Sequence, residues 1–185
     1  NVEVGMQALE DKDENKIKYV LEHEPVIDAL EEDITRYLTK MSEKEMGAEL
    51  SAMHTRLLHA CTDIERIGDH GEALAKDARR MFEDDVKFSE EAKTELRALG
   101  ELVMQASGKA MEALANNDKV LAQEAWDICR QVKKAQKEIR KNHIVRLNEK
   151  RCDPVAGFMM MEILINLKRV SDHSKNISQI VLGIF

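Results

Sequence analysis

Apolar residues recur every three or four positions along most of the chain, and the interruptions are polar caps and short turns. Residues 1–10 read as the end of a helix, broken by Asp11-Lys12-Asp13. A second helix is expected from about 14 to 41, with Pro25 predicted to kink it. Ser42-Glu43-Lys44-Glu45 has the form of a capping box and opens a third helix. Its apolar stripe runs from Met46 and Leu50 through Leu57, Ile64 and Gly71 to Ala78, and fades at Glu83-Asp84-Asp85. Ser89, Asp118 and Asp153 are the expected N-caps of three further helices, ending near Ala115, Arg151 and Leu182. Pro154 stands at the first helical position after Asp153, where its missing N–H costs nothing. Short loops between long helices predict antiparallel neighbours packed as bundles.

Composition agrees with this all-α reading. The 185 residues include eight glycines, two prolines and only 4% aromatics, too few turn and β-forming residues for a sandwich or barrel. A net charge of −7 gives no basic footprint for nucleic acid. No apolar run approaches the roughly 18 residues needed to span a bilayer. Cys61, Cys129 and Cys152 are an odd, widely spaced set without a CxxC, which fits reduced thiols in a cytoplasmic protein.

The chain repeats itself. MQALEDKD at 6–13 matches MEALANND at 111–118, an offset of 105, and DIERIGDHGEAL at 63–74 matches NLKRVSDHSKNI at 166–177, an offset of 103. One small insertion between two equivalent halves accounts for the difference. The expected architecture is two tandem three-helix bundles, residues 1–86 and 87–185, with most of the first helix of the first unit absent. That truncation predicts uncovered apolar surface near residues 1–22 and 46–60, and self-association through it.

The candidate chemistry lies in the first half. Glu24, Asp28 and Glu31 are spaced i, i+4, i+7 on the second helix, and Glu65, Asp69 and Glu72 repeat that spacing on the third. Facing rows of this kind repel unless cations bridge them, and carboxylate oxygens suit hard or borderline metal ions. His70 could add a nitrogen ligand. Spacing alone favours a solvated acidic face, because 35 acidic residues produce such rows by chance. In the second half the equivalent positions hold Cys129, Lys133 and Gln136, then Lys168, Asp172 and Lys175, so only Asp172 survives. No Glu-x-x-His, HExxH, Walker A or GxSxG pattern occurs, and an enzyme is not expected.

ERIGDH at 65–70 and its degenerate partner KRVSDH at 168–173, set in two tandem three-helix units, resemble the PhoU family of phosphate-transport regulators. The resemblance implies acidic ExxxD motifs that hold iron or zinc on the bundle surface. Here that pattern falls on Glu24 with Asp28 and on Glu65 with Asp69; His70 and Asp172 complete the candidate ligand set. Lys168 takes the first acidic position in the second half and argues against a second cluster. Stand-alone members usually carry Pro-x-Ala-x-Asp-Leu-Arg ahead of ERIGD, which this chain lacks. DIERIGDH and RKNHIVRLNEKRCDPVAG at 140–157 are similar instead to the PhoU-like cytoplasmic domain that follows the membrane part of bacterial sodium/phosphate cotransporters. The expected function is thus a cytoplasmic, metal-binding regulatory domain, partnered by that membrane part or by a phosphate transporter, and homodimeric. The alternatives are a stand-alone regulator of phosphate uptake and signalling, or a metal-free structural and dimerisation module.

Overall fold

The computed structural model describes residues 1–42 and 46–184. Six helices follow in order: α1 (Val2–Asp11), α2 (Glu14–Ser42), α3 (Ala48–Glu83), α4 (Glu90–Asn116), α5 (Lys119–Asn148) and α6 (Pro154–Leu182). Among the described residues there is no strand, and no helix is long and apolar enough to cross a membrane.

The local signals explain most helix starts. Ser89 Oγ accepts from the Ala92 amide, and the Asp118 and Asp153 carboxylates each accept from two amides of the turn that follows. The helix α2 runs on through Pro25 as one element, although proline withholds the amide that would reach the Leu21 carbonyl. The third helix departs from expectation. Ser42 closes α2, its hydroxyl donating to the Thr39 carbonyl, and α3 begins at Ala48 behind Gly47. The rest of the expected capping box, Glu43 to Glu45, lies outside the described residues.

Helices α4, α5 and α6 pack on one another as a three-helix bundle, while α1 and α2 pack on α3. The two groups are joined where α3 packs along α6. One core runs through both, with Val2, Leu74, Leu99, Val103, Met160 and Ile163 in contact across four helices. The approach of α1 to α3 depends on glycine. A Cβ on Gly71 would stand 2.8 Å from the Val2 amide nitrogen, and one on Gly5 2.9 Å from the Gly71 carbonyl oxygen.

Uncovered apolar surface is present and falls partly where expected: Leu50, Met53 and Leu57 lie within residues 46–60, whereas residues 1–22 are closed. Val2, Met6, Ile17 and Val20 are buried, so residues 1–22 are largely closed by α1 folding onto α3. The open stretch is further along the hairpin, at Val26, Leu30, Ile34 and Tyr37 of α2 and at Leu50, Met53 and Leu57 of α3.

Candidate metal centre

The antiparallel pairing of α2 with α3 sets the two acidic rows opposite each other. Glu24, Asp28 and Asp69 each offer a carboxylate oxygen, and these oxygens lie within 4.8 Å of one another. Among the described residues this is the one group of three or more such donors close enough to share an ion. Glu65 stands on the same side of α3, half-buried, one turn before Asp69.

The electrostatics record the crowding. Burial pushes the Glu24 carboxyl up to about 7, helped by its hydrogen bond with Asp28 and by the charges of Asp28, Glu72 and Asp69. Glu65 is raised as well, first by burial and then by Asp69, with Arg66 opposing. Cations answer the rows only from the rim: Arg66 reaches Asp69 at 2.8 Å and Glu65 at 3.5 Å, and Lys76 reaches Glu72 at 2.6 Å. The donor set therefore suits a hard or borderline cation bound through oxygen.

His70 faces elsewhere. Its Nδ1 lies 3.1 Å from the Asn166 side-chain oxygen on α6, and its ring stacks on His173 with centroids 5.7 Å apart. His173 in turn donates to Asp63 at 2.7 Å. In the repeat register His70 corresponds to His173 and Asp63 to Asn166, so each histidine is held by the residue seven positions before its counterpart. Asn176 also donates to Asp63, at 3.1 Å, and Asn166 to the buried Asp77, at 3.2 Å. Burial moves the Asp77 carboxyl up to about 6. Burial also lowers the His70 imidazole, which the Asn166 hydrogen bond opposes. This polar seam joins the two halves, and no spacing rule within one helix reveals it. The paired offsets of Asp63, Asn166 and the two histidines were the available signal.

Asp172 is remote from the cluster in kind. It pairs with Lys168 one turn earlier on α6. The position equivalent to Glu24 is Cys129, buried, with its thiol 3.3 Å from the Ser171 carbonyl.

A family model described as the PhoU domain matches residues 2–78 and 96–181. The chain belongs to the PhoU domain family. A phosphate-specific transport system accessory protein PhoU homologue of Thermotoga maritima is 26% identical over 182 residues, covering 97% of this chain and 77% of its own length. A homologue of the same description from Pseudomonas aeruginosa is 25% identical over 182 residues, covering 96% of this chain and 73% of its own. The crystal structure of PhoU from Pseudomonas aeruginosa matches with a TM-score of 0.91 at 23% identity, covering 99% of this chain and 87% of that one. The phosphate transport system regulatory protein PhoU from Streptococcus pneumoniae matches at 0.85 and 18% identity, over 99% and 85%. These PhoU structures share the helical architecture of this chain, with its tandem three-helix units.

Proposed function

We propose that this PhoU domain is a non-catalytic regulator of phosphate transport, acting in the cytoplasm on a transporter, with a metal ion held between α2 and α3. The family and the names of the curated relatives support the regulatory reading. Those relatives are accessory proteins of a transport system, which favours the accessory type of regulator over a domain of a sodium/phosphate cotransporter. Self-association belongs to the same reading.

The observation that carries the metal is the convergence of Glu24, Asp28 and Asp69, drawn from two helices and flanked by Glu65. Burial, the hydrogen bond with Asp28 and the neighbouring carboxylate charges together raise the Glu24 carboxyl to about 7. A bound cation would replace the carboxyl proton and join α2 to α3. Iron or zinc is the expected ion by family resemblance. Asp172, already paired with Lys168, takes no part.

The test is metal content and metal-dependent melting of the purified chain, compared with Asp69→Asn and Asp172→Asn. Asp69→Asn should lose most bound iron or zinc and most of the rise in melting temperature that a native-state ligand brings. Asp172→Asn should keep both. Equal behaviour of the two variants, or no metal above background in the parent, would reduce the rows to a solvated acidic face. For the regulatory part, phosphate uptake is measured in cells with and without the chain. Unchanged uptake over a range of phosphate supply would remove that reading.

A further inference from the structure

We propose that the outer face of α5 docks an acidic amphipathic helix of a partner protein, with an apolar side chain of that helix anchored in the cleft between the end of α5 and the start of α6. Residues 130–151 carry nine lysines and arginines against two glutamates, in a chain whose net charge is −7. Six of them, Arg130, Lys133, Lys134, Lys137, Arg140 and Lys141, recur at steps of three and four and so share one side of the helix. All six are exposed, and Glu138, the one acidic residue among them, falls at the edge of the row. Among the described residues Lys133, Lys134, Lys137 and Arg140 form no ion pair, while Arg130 pairs with Asp127, and Lys141 with Glu138 at 3.5 Å.

The fold does not ask for these cations. In the first repeat the equivalent positions hold Pro25, Asp28, Ala29, Glu32, Thr35 and Arg36, and α2 is nearly as long as α5. The helix α4 meets α5 on its other side, where Glu95 bonds Asn142 at 2.8 Å and Arg146 at 2.6 Å. The basic row is therefore the outer side of a unit in which α4, α5 and α6 already pack on one another.

At Arg140 the row runs into an apolar cleft of about 350 Å³, with Ile144 and Leu147 on α5 and Pro154, Phe158 and Met161 on α6. Ile144 is 48% exposed and Phe158 58%. A recess between two helices suits a large apolar anchor set in a helix that lies along the groove. The cations beside it, one helical turn apart, match carboxylates spaced i, i+3 and i+4 on such a helix. Four of them have no ion pair to give up on binding. A flat anionic surface would meet the charges but not the half-buried Leu147 and Met161, so a helix with a protruding side chain is the better fit.

The probe is a synthetic helical peptide of about 15 residues, with glutamates at successive turns of one face and a phenylalanine near one end. Trp126, the single tryptophan, lies one turn before Arg130 on the same side of α5, so its emission reports docking. Micromolar binding is expected at about 0.1 M salt. Lys133→Glu with Lys137→Glu should weaken it at least roughly tenfold, and by less at high salt, where charges are screened. Phe158→Ser should also weaken it, by a factor that salt does not reduce. Lys18→Glu, on α2, should leave it unchanged. These four positions are exposed, so helix content should stay that of the parent. No binding at about 1 mM peptide would overturn the proposal. So would binding that survives the two glutamates, or equal binding of a peptide with lysines in place of its glutamates. Uptake of phosphatidylglycerol vesicles or duplex DNA through these residues, with the peptide ignored, would overturn the helical partner and give the face to a membrane or a nucleic acid.

Discussion

At one register of the repeat, Asp69 sits among carboxylates from a neighbouring helix, while its counterpart Asp172 is held by Lys168. Further along the hairpin, Leu38 in the first half corresponds to His143 in the second, and Met41 corresponds to Arg146. The first half thus concentrates like charge and leaves an apolar side open, whereas the second pairs Asp172 and Glu95 and covers its core with α4. One backbone plan supports both because the differences lie in side chains that face away from the shared α3/α6 seam. The comparison separates residues that build the fold from residues that give the first half something to bind.

The largest effect should come from the closed half. Arg146 is almost fully buried against Glu95 and the Met160 sulfur. Removing the carboxylate with Glu95→Leu strands a buried guanidinium and should cost about 3 kcal/mol in denaturant unfolding. Adding Arg146→Met makes this corner apolar, as it is around Met41, and should recover most of that loss. A double variant as unstable as the single one would mean that Arg146 contributes mainly by its own packing.

A smaller effect of opposite sign is expected at His143. The ring is 1% exposed, packs against Gly157, and neither nitrogen has a hydrogen-bond partner. His143→Leu copies Leu38 and should stabilise the chain by about 1–2 kcal/mol, the usual cost of burying an unpaired polar group. Burial, with Arg146 adding to it, lowers this imidazole, so the folded state prefers it neutral. Its contribution is lost as pH falls through the unfolded value near 6.5, and the gain from leucine should grow there. Unfolding at about pH 7.5 and about pH 5.5 checks both points.

The parts of this molecule legible in its sequence are the ones fixed by short-range chemistry. Ser89, Asp118 and Asp153 announce their helices because each cap bonds amides two or three residues away. The facing rows were legible as spacing, and the short connection between α2 and α3 makes them antiparallel. Ser42 misled because the same hydroxyl can cap a following helix or bond back to a carbonyl, and Thr39 wins. The destination of His70 was harder still, since its partners are about a hundred residues away on α6. Residues 1–22 are closed rather than open because Gly5 and Gly71 let α1 lie directly on α3.

The open half should show its own pH dependence. The folded-state value of Glu24, about 7, exceeds its ordinary value of 4.5, so the protonated form favours the fold. That stability is complete below the ordinary value and is lost as pH rises through about 7. Without metal, the parent should therefore lose more stability than Glu24→Gln from about pH 5 to about pH 8. Asp77, His70 and His143 titrate in both proteins and cancel in the difference. A bound ion stabilises the ionised carboxylate, so metal should flatten the parent's curve and tighten as pH rises. Parallel curves for parent and variant would place Glu24 in ordinary solvent.

The smallest effect has the most informative sign. Asp28 has carboxylates for neighbours, and its charge helps keep Glu24 protonated. In the metal-free chain, Asp28→Asn removes repulsion and should raise stability by a few tenths of a kcal/mol, the scale of like-charge pairs on a helix. Asp172→Asn removes an exposed ion pair with Lys168 and should lower stability by a similar amount. Saturating iron or zinc leaves the second change as it was. It should reverse the first, because the lost oxygen is now a ligand and the native-state ligand binds less tightly. Melting curves with and without metal for the two variants give four numbers, and only the Asp28 pair should change sign. If Asp28→Asn is stabilising in both conditions, the ion does not use Asp28, and the site must be held by Glu24 and Asp69 with Glu65 as the third carboxylate.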